Sequence, residues 1–102
     1  MIVARSEVTV SPSARERARD LLCEMAVRSR AEDGVVDYRV TSDLESPDTF
    51  RILEVYEDEA AFEAHESSDH LAQFKRDMAP CLADEAELTC YDVAETTTLP
   101  GP

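Results

Sequence analysis

The chain is short of several residue types, and each shortage narrows the class of protein it can be. It has two glycines, three cysteines without a CxxC pair, and no tryptophan or asparagine. Two glycines are too few for a glycine-rich phosphate loop. Cys23, Cys81 and Cys90 are an odd number at scattered spacings, so neither a disulfide framework nor a zinc site is expected. No apolar run approaches the ~18 residues of a membrane helix.

Positive charge is scarce as well. Lys75 is the only lysine, and 23 acidic residues against 10 basic ones give a formal net charge of -13. Such a surface repels nucleic acid and anionic membranes, so neither is an expected partner. An acidic, lysine-poor surface fits a halophilic protein, because salt screens its self-repulsion. The first residues lack the apolar core of a signal peptide, and we expect a cytoplasmic protein.

The chain has enough apolar residues for one small domain. Hydrophobic residues make up 43% of its 102 positions, which argues against disorder. We predict a domain over residues 2–94 and a short flexible tail over 95–102. Because so short a chain buries only a modest core, association with a second copy would add stability.

Apolar periodicity and turn residues predict the elements along the chain. Ser13 and Glu16 form a capping-box pattern near the start of the first helix, and Gly34 follows its end. Asp58 is the expected N-cap of a short helix, and a Ser-Ser-Asp cluster opens the next one. The predicted elements are a strand over 2–10, a helix from Pro12 to about Ala31, strands over 35–42 and 50–57, helices over 58–65 and from Ser67 to about Pro80, and a strand over 85–94.

This βαββαβ order predicts an α+β fold, in which a four-stranded antiparallel sheet carries helices on one face. The third predicted strand is apolar on both faces, with Leu53 and Val55 opposite Ile52 and Tyr56. The face without helices should therefore be covered too. A second copy of the same sheet, related by a two-fold axis, is the simplest cover.

Spaced residues between Asp33 and Val93 form a series of short motifs. They read D-G-x-x-x-Y, P-D-x-F-x-x-x-E-x-Y, H-x-x-S-x-H-x-x-x-F and a final Y-x-V. The series resembles the antibiotic biosynthesis monooxygenase (ABM) domain family, which includes small quinol monooxygenases, and the resemblance covers about residues 2–94.

The resemblance implies a ferredoxin-like fold that pairs into a homodimer, the dimeric α+β barrel, with a pocket between sheet and helices in each subunit. It implies oxygenation without flavin, metal or haem, so no cofactor is expected. The partners would be dioxygen and a small aromatic quinol or phenol, which supplies the electrons. Anthrone-oxidising and haem-degrading relatives rely on an asparagine and a tryptophan that this chain lacks, so quinol-oxidising relatives are the nearer comparison.

Glu54, His65 and His70 are the candidate catalytic residues. A carboxylate on a buried strand face should have a raised pKa and could remove a phenolic proton. Histidine titrates near neutral pH and suits proton transfer. The structural alternative is that these groups bond to one another or to backbone and only fix the fold. A metal site from both histidines and Glu54 is less favoured, because the resemblance implies no metal.

Aromatic side chains are the candidate substrate-binding walls, because they suit a flat aromatic ligand. They would equally serve as core in a small domain. Three functions stay open: an oxygenase, an isomerase of a small carbonyl metabolite on the same fold, and a non-catalytic dimer that binds a small ligand. The predicted wall residues are Tyr38, Phe50, Tyr56, Phe62 and Phe74.

Overall fold

The structure is a computed structural model that describes all residues, 1–102. Its sheet has the strand order β2-β3-β1-β4, and every neighbouring pair is antiparallel. The α+β fold predicted from the order of elements, an antiparallel sheet with helices on one face, is confirmed, and so is the ferredoxin-like arrangement that the family resemblance implies. The elements are β1 (Ile2–Thr9), α1 (Arg15–Arg30), β2 (Val35–Ser42), β3 (Thr49–Tyr56), α2 (Glu59–Glu66), α3 (Asp69–Met78) and β4 (Glu87–Asp92).

The helices pack on one face of the sheet and bury the main core there. Register places Val8 opposite Phe50 and Tyr38 opposite Glu54, so these side chains share the helix side. Helix α1 supplies Leu22, which is fully buried, and α3 closes the core from the other side. No helix in the structure is both long and apolar enough to cross a membrane.

The start of α1 differs from the prediction. Pro12, Ser13 and Ala14 form a single 3-10 turn, and the α-helix begins only at Arg15. No side chain caps the helix, so the predicted capping box of Ser13 and Glu16 does not form. Ser13 lies inside the 3-10 turn, which is closed by a 2.9 Å hydrogen bond from Ala14 N–H to the Ser11 carbonyl, and so it is not the residue that precedes a helix as an N-cap must be.

Strand β2 also departs from simple alternation. Its register against β3 shifts between Val35 and Asp37, so Val36 lies in an irregularity and is 55% exposed. An extra residue in one strand rotates the side chains before it. Strict alternation over residues 35–42 predicts Val36 on the same face as Tyr38 and Val40, but the irregularity turns Val36 away from the core.

Gly34 sets how closely the turn after α1 approaches α2. Its φ is +80°, a left-handed conformation that favours glycine. A Cβ built on Gly34 would lie 2.5 Å from the Cβ of Ala61. Its carbonyl accepts a 2.8 Å hydrogen bond from Glu57 N–H. The glycine thus allows the turn to pack directly against the beginning of α2.

The other face of the sheet carries no helix. Leu53 is 46% exposed there, and Tyr91 on the edge strand β4 is 42% exposed. Val3 on β1 lies opposite Val55 on β3 and Tyr91 on β4, and Arg5 lies opposite Leu53. We call the face formed by Val3, Leu53, Val55 and Tyr91, with its flanking charged residues, the open face.

Candidate functional site

A cavity of about 370 Å³ lies between the helix side of the sheet and α3. Its volume is at the lower end of the range for small-molecule sites, and suits a ligand of about one aromatic ring. Tyr38 and Glu54 enter it from paired positions on β2 and β3, and His65 enters from the end of α2. Apolar walls are formed by Val8, Ile52, Leu71, Phe74, Met78, Leu82 and Leu88.

Glu54 is the buried carboxyl of this cavity and is only 4% exposed. The hydroxyl of Tyr56 donates a hydrogen bond to its Oε1, and His65 Nε2 lies 3.8 Å from the same oxygen. Burial raises the pKa of Glu54, while the Tyr56 hydrogen bond and the charge of His65 oppose that rise. A carboxylate with a raised pKa is a stronger base than one in water.

His65 is joined to the second histidine through a third residue, Glu32. His65 Nδ1 lies 2.8 Å from Glu32 Oε2, and His70 Nε2 lies 3.2 Å from the same oxygen. Glu32 is in the turn between α1 and Gly34, whereas His70 is in the first turn of α3. The contacts therefore form a continuous line from Glu54 in the cavity to His70 at the surface.

Helix caps place the two histidines next to each other. Asp58 caps α2 by accepting a 2.8 Å hydrogen bond from Ala61 N–H, as predicted. Ser68 caps α3 and also donates to the His65 carbonyl at 2.7 Å, which ties the end of α2 to the start of α3. The imidazole rings of His65 and His70 consequently lie 6.1 Å apart, centre to centre.

Two tyrosine rings hold His65 in place. The centres of Tyr38 and Tyr56 each lie 5.6 Å from the centre of its imidazole. Burial raises the pKa of both phenols, and the nearby carboxylate of Glu54 raises them further. Both tyrosines thus stay protonated over the physiological range and do not act as bases. Tyr38 lines the cavity, and Tyr56 donates a hydrogen bond to Glu54.

Comparison with known proteins decides the family. A family model described as antibiotic biosynthesis monooxygenase matches residues 1–77. The chain belongs to the antibiotic biosynthesis monooxygenase family. The resemblance of its motifs to this family is therefore confirmed.

Two further proteins are similar to this chain over most of its length. The chain is 32% identical over 74 residues to "Putative monooxygenase YcnE" of Bacillus subtilis, a match that covers 72% of this chain and 78% of that protein. It is 30% identical over 98 residues to "Uncharacterized protein sll1783" of Synechocystis sp., covering 96% and 67% respectively.

A solved ABM structure from Deinococcus radiodurans, titled as a "putative antibiotic biosynthesis monooxygenase", has the same fold. It superposes with a TM-score of 0.94 at 25% identity, over 99% of this chain and 100% of that one. The ferredoxin-like arrangement is thus shared along essentially the whole length of the chain.

The structure brings some of the predicted site residues to the ABM cavity and places others elsewhere. Tyr38, Glu54, His65 and Phe74 line it. Tyr56 is fully buried and reaches the cavity only through its hydrogen bond to Glu54.

Three predicted residues lie outside the cavity lining. Phe50 lines a separate cavity between α1 and the β2–β3 loop, and His70 lines a narrow groove between α1 and α3. Phe62 packs edge-on against Tyr56, with ring centres 5.2 Å apart. Of these three, only His70 is connected to the cavity by polar contacts.

Sequence reasoning missed the polar residues that α-helix and loop positions bring to the site. Glu32 is one of 23 acidic residues, and nothing in its local pattern marks it out. Glu66 and Lys75 also line the cavity, together with Glu85 and Glu87 before and at the start of β4. Of these residues only Lys75 stands out in the sequence, because it is the only lysine in the chain.

Two groupings come nearest to a metal site. Donor atoms of Glu32, His65 and His70 lie within 4.8 Å of one another, as do those of Glu54, His65 and Glu66. Both histidines are thus grouped with Glu32, whereas the metal site considered from the sequence combined them with Glu54. The 2.8 and 3.2 Å separations at Glu32 are ordinary hydrogen-bond lengths, so shared protons account for the first grouping.

Proposed function

We propose that this ABM protein is a cofactor-independent monooxygenase that oxidises a small aromatic quinol or phenol. Glu54 carries the proposal, because it is a buried carboxyl with a raised pKa that faces an apolar cavity of about 370 Å³. A general base with these properties is suited to removing a phenolic proton near neutral pH. The family's description supports a monooxygenase, and the size of the cavity supports a one-ring substrate.

The proposed reaction begins with transfer of the phenolic proton to Glu54. The resulting phenolate gives one electron to dioxygen, and the two radicals combine at a ring carbon. The peroxide anion formed there takes up the proton that the substrate had lost and becomes a hydroperoxide. Loss of water leaves a carbonyl on that carbon, so one oxygen atom enters the product and the other leaves as water. The substrate supplies all the electrons, and the protein contributes orientation and proton transfer.

The remaining cavity residues are assigned roles by their positions. His65 Nε2, 3.8 Å from Glu54 Oε1, would receive the proton from Glu54 once the site tightens around substrate. Tyr38 and Phe74 would hold the ring between β2 and α3. Phe50 and Phe62 would act indirectly, through packing, because neither lines the cavity.

We further propose that two copies associate through the open face into a homodimer. Leu53 and Tyr91 are large apolar side chains that stay half exposed in a single chain. Contiguous apolar surface of this kind is typical of an interaction site. A second copy would supply the same residues in return, as a two-fold interface requires. The mass in solution, measured by analytical ultracentrifugation, tests this.

The proposed working environment is a reducing cytoplasm of high ionic strength. All three cysteines are free thiols, which fits a reducing compartment. The net charge of -13 on 102 residues fits high salt, where self-repulsion is screened. The acidic surface also argues against nucleic acid and anionic membranes as partners.

Oxygen uptake tests the proposed reaction directly. A panel of neutral quinols and phenols is added to the wild-type protein in an oxygen electrode, beside Glu54→Gln and a protein-free control. The proposal expects consumption of one dioxygen per substrate by the wild type, and a loss of nearly all of it in the variant. Equal uptake by wild type and variant would contradict the role of Glu54.

An isomerase of a small carbonyl compound is the second candidate, because a buried carboxyl beside an imidazole can also move a proton between carbon atoms. Isomerisation consumes no dioxygen and exchanges a substrate C–H with solvent. Deuterium incorporation from D₂O under anaerobic conditions, without oxygen uptake in air, would favour this candidate over the oxygenase. A protein that bound the ligands but did neither would be a non-catalytic binder.

A further inference from the structure

Both histidines of the chain converge on one carboxylate oxygen. His65 Nδ1 lies 2.8 Å and His70 Nε2 lies 3.2 Å from Oε2 of Glu32, and the three donor atoms all lie within 4.8 Å of one another. The three groups come from three segments: the turn after α1, the end of α2 and the first turn of α3. The fold therefore brings together, from distant parts of the chain, the only two imidazoles that it has.

Two imidazoles and one carboxylate are a ligand set that zinc and similar divalent ions accept in proteins. Ligands about 2.1 Å from a tetrahedral ion lie about 3.4 Å from one another, close to the 2.8 and 3.2 Å found at Glu32. A proton on each imidazole makes these contacts hydrogen bonds, and an ion would take the place of both protons. Each neutral imidazole then carries its proton on the ring nitrogen that faces away from the ion.

The surroundings of His65 hold its ring in the orientation that a ligand needs. The rings of Tyr38 and Tyr56 pack against it, and Ser68 ties its carbonyl to the start of α3. Its other ring nitrogen, Nε2, lies 3.8 Å from Oε1 of Glu54. Metal-bound histidines almost always donate their second N–H to a carboxylate, a carbonyl or water, which fixes the ring. Glu54 is thus placed to support His65 as a ligand.

The groove between α1 and α3 gives an ion access to the three groups. His70 lines this groove of about 120 Å³, and the side chains of Glu32 and His70 are 20% and 22% exposed. Glu24 and Asp77 line the same groove, and its one arginine, Arg28, is already paired with Glu24. The chain as a whole carries a net charge of -13. A surface potential of this sign attracts cations.

We propose that Glu32, His65 and His70 bind one Zn²⁺ ion, on the side of His65 that faces away from Glu54. Three protein ligands leave a further position for water, which the groove supplies. Of the three ligands only His65 lines the cavity, so the ion would not touch a substrate there. The site therefore goes beyond the proposed oxidation, in which no metal takes part.

A bound ion would act on the cavity through His65. Coordination at Nδ1 leaves the proton of the ring on Nε2, the atom that faces Glu54. That nitrogen can then no longer receive a proton from Glu54, which is its proposed role in the oxidation. Zinc is therefore expected to inhibit turnover. The inhibition rests on the proposed function, whereas the binding of zinc does not.

Isothermal titration calorimetry with Zn²⁺ alone tests the site. The exposed thiols of Cys23 and Cys90 are potential zinc ligands as well, so the titrations use a Cys23→Ser/Cys90→Ser background. We expect one zinc ion per chain, bound about a hundredfold or more weakly after His70→Ala, since even the loss of a supporting contact costs about 10–100-fold. Glu24→Gln, in the same groove, is the matched control and should bind as tightly as the background protein.

Two further variants identify the ligands. Glu32→Gln should weaken zinc binding as His70→Ala does, because it removes the negative charge between the imidazoles. Glu66→Gln should not, because Glu66 belongs to the other grouping, with Glu54 and His65. Binding that depended on Glu66 and not on His70 would overturn the proposed ligands. Equal binding by the background protein and a folded His70→Ala variant would overturn the site altogether.

The ¹⁵N signals of the imidazoles give a readout that does not depend on affinity. Saturating zinc should shift the Nδ1 signal of His65 and the Nε2 signal of His70, the two nitrogens that face Glu32. Signals of either histidine that stayed unchanged at saturation would exclude that histidine as a ligand and contradict the proposal.

Oxygen uptake separates this site from the proposed function. With an active wild type, saturating zinc should lower the rate several-fold, and His70→Ala should be much less sensitive. A protein that binds zinc through the three groups but oxidises no quinol would refute the proposed function and leave the site standing. An active protein that binds zinc there without loss of rate would overturn the coupling through His65.

Discussion

The two faces of the sheet use the same residue types to opposite effect. On the open face Arg51 forms exposed ion pairs with Asp43 and Glu7, and its hydrogen bond holds the pKa of Asp43 below the usual value. On the helix side Glu54 has no basic partner except an imidazole, and burial raises its pKa. One carboxyl is thereby stabilised as an anion, and the other becomes a base.

This contrast shows that burial, and not the presence of acidic residues, distinguishes the candidate site. The chain carries 23 acidic side chains, yet Glu54 is the only one that is buried. Exposed ion pairs such as those of Arg51 contribute little to stability. Removing a carboxyl from water, by contrast, raises its pKa, and a carboxylate with a raised pKa is a better general base.

The largest expected effect is on kcat, and only the substitution on the helix side of the sheet should produce it. Glu54→Gln should lower kcat by about 10²–10⁴-fold, because that is what a general base contributes. Asp43→Asn, in the loop after β2 and paired with Arg51 of the open face, is the matched control, and should leave kcat near the wild-type value. Steady-state oxygen uptake measures both. Comparable losses in the two variants would mean that burial does not single out Glu54.

Gly34→Ala should cost about 1–3 kcal/mol of unfolding free energy, since it combines a left-handed backbone with a close contact to Ala61. It should also move Glu32 away from His65 and so perturb the helix side selectively. Gly101→Ala is the control, because nothing lies within 4 Å of that position. Urea denaturation compares them, and equal stabilities would contradict this account of the turn.

On the open face, the expected effect is on assembly. Leu53→Arg should place a third positive charge between Arg5 and Arg39, which lie opposite it on β1 and β2, and convert dimer to monomer, because like charges cannot be buried there without partners. Val27→Arg, at a residue 62% exposed on α1, is the control and should leave the mass unchanged. Sedimentation velocity reads both masses. A wild type that is already monomeric would refute the interface itself.

The two carboxyls should also give opposite pH dependence of stability. The pKa of Glu54 is raised by folding, so its contribution is full below about 4.5 and lost as pH rises through the folded-state pKa. Glu54→Gln should therefore become more stable relative to wild type as pH rises. Asp43 has a lowered pKa, so Asp43→Asn should become less stable relative to wild type over acid-to-neutral pH. Chemical denaturation across pH tests the two signs.

The smallest effect concerns the surface as a whole. With a net charge of -13, the melting temperature should rise from low to molar KCl as repulsion is screened. Most of the change should occur at low salt, where the Debye length is longest. Differential scanning calorimetry measures it, and a flat or falling curve would count against a protein adapted to salt.

Most of the fold was predictable because local patterns and global packing agree. Strand alternation placed Glu54 on the buried face of its strand, and Asp58 and Ser68 cap the helices that their positions indicated. The errors fall where a turn competes with a simple pattern. Pro12 begins a 3-10 turn instead of the helix, and an irregularity in β2 turns Val36 outward.

The candidate site was less predictable, because it depends on contacts between distant segments. Glu32 and His65 are separated by 33 positions and meet only because Gly34 lets the turn pack on α2. Strand alternation placed Phe50 on the same face as Glu54, but it could not show that the two residues line different cavities. Sequence spacing predicts the face of the sheet on which a residue lies, but the packing of the helices determines which cavity that residue lines.

The most direct test of the central claim is oxidation of a quinol under ¹⁸O₂ by the wild-type protein, followed by mass spectrometry of the product. The account predicts one ¹⁸O atom in each product molecule, with the second in water, and loss of labelled product in Glu54→Gln. Product that carries no ¹⁸O in either protein would contradict it.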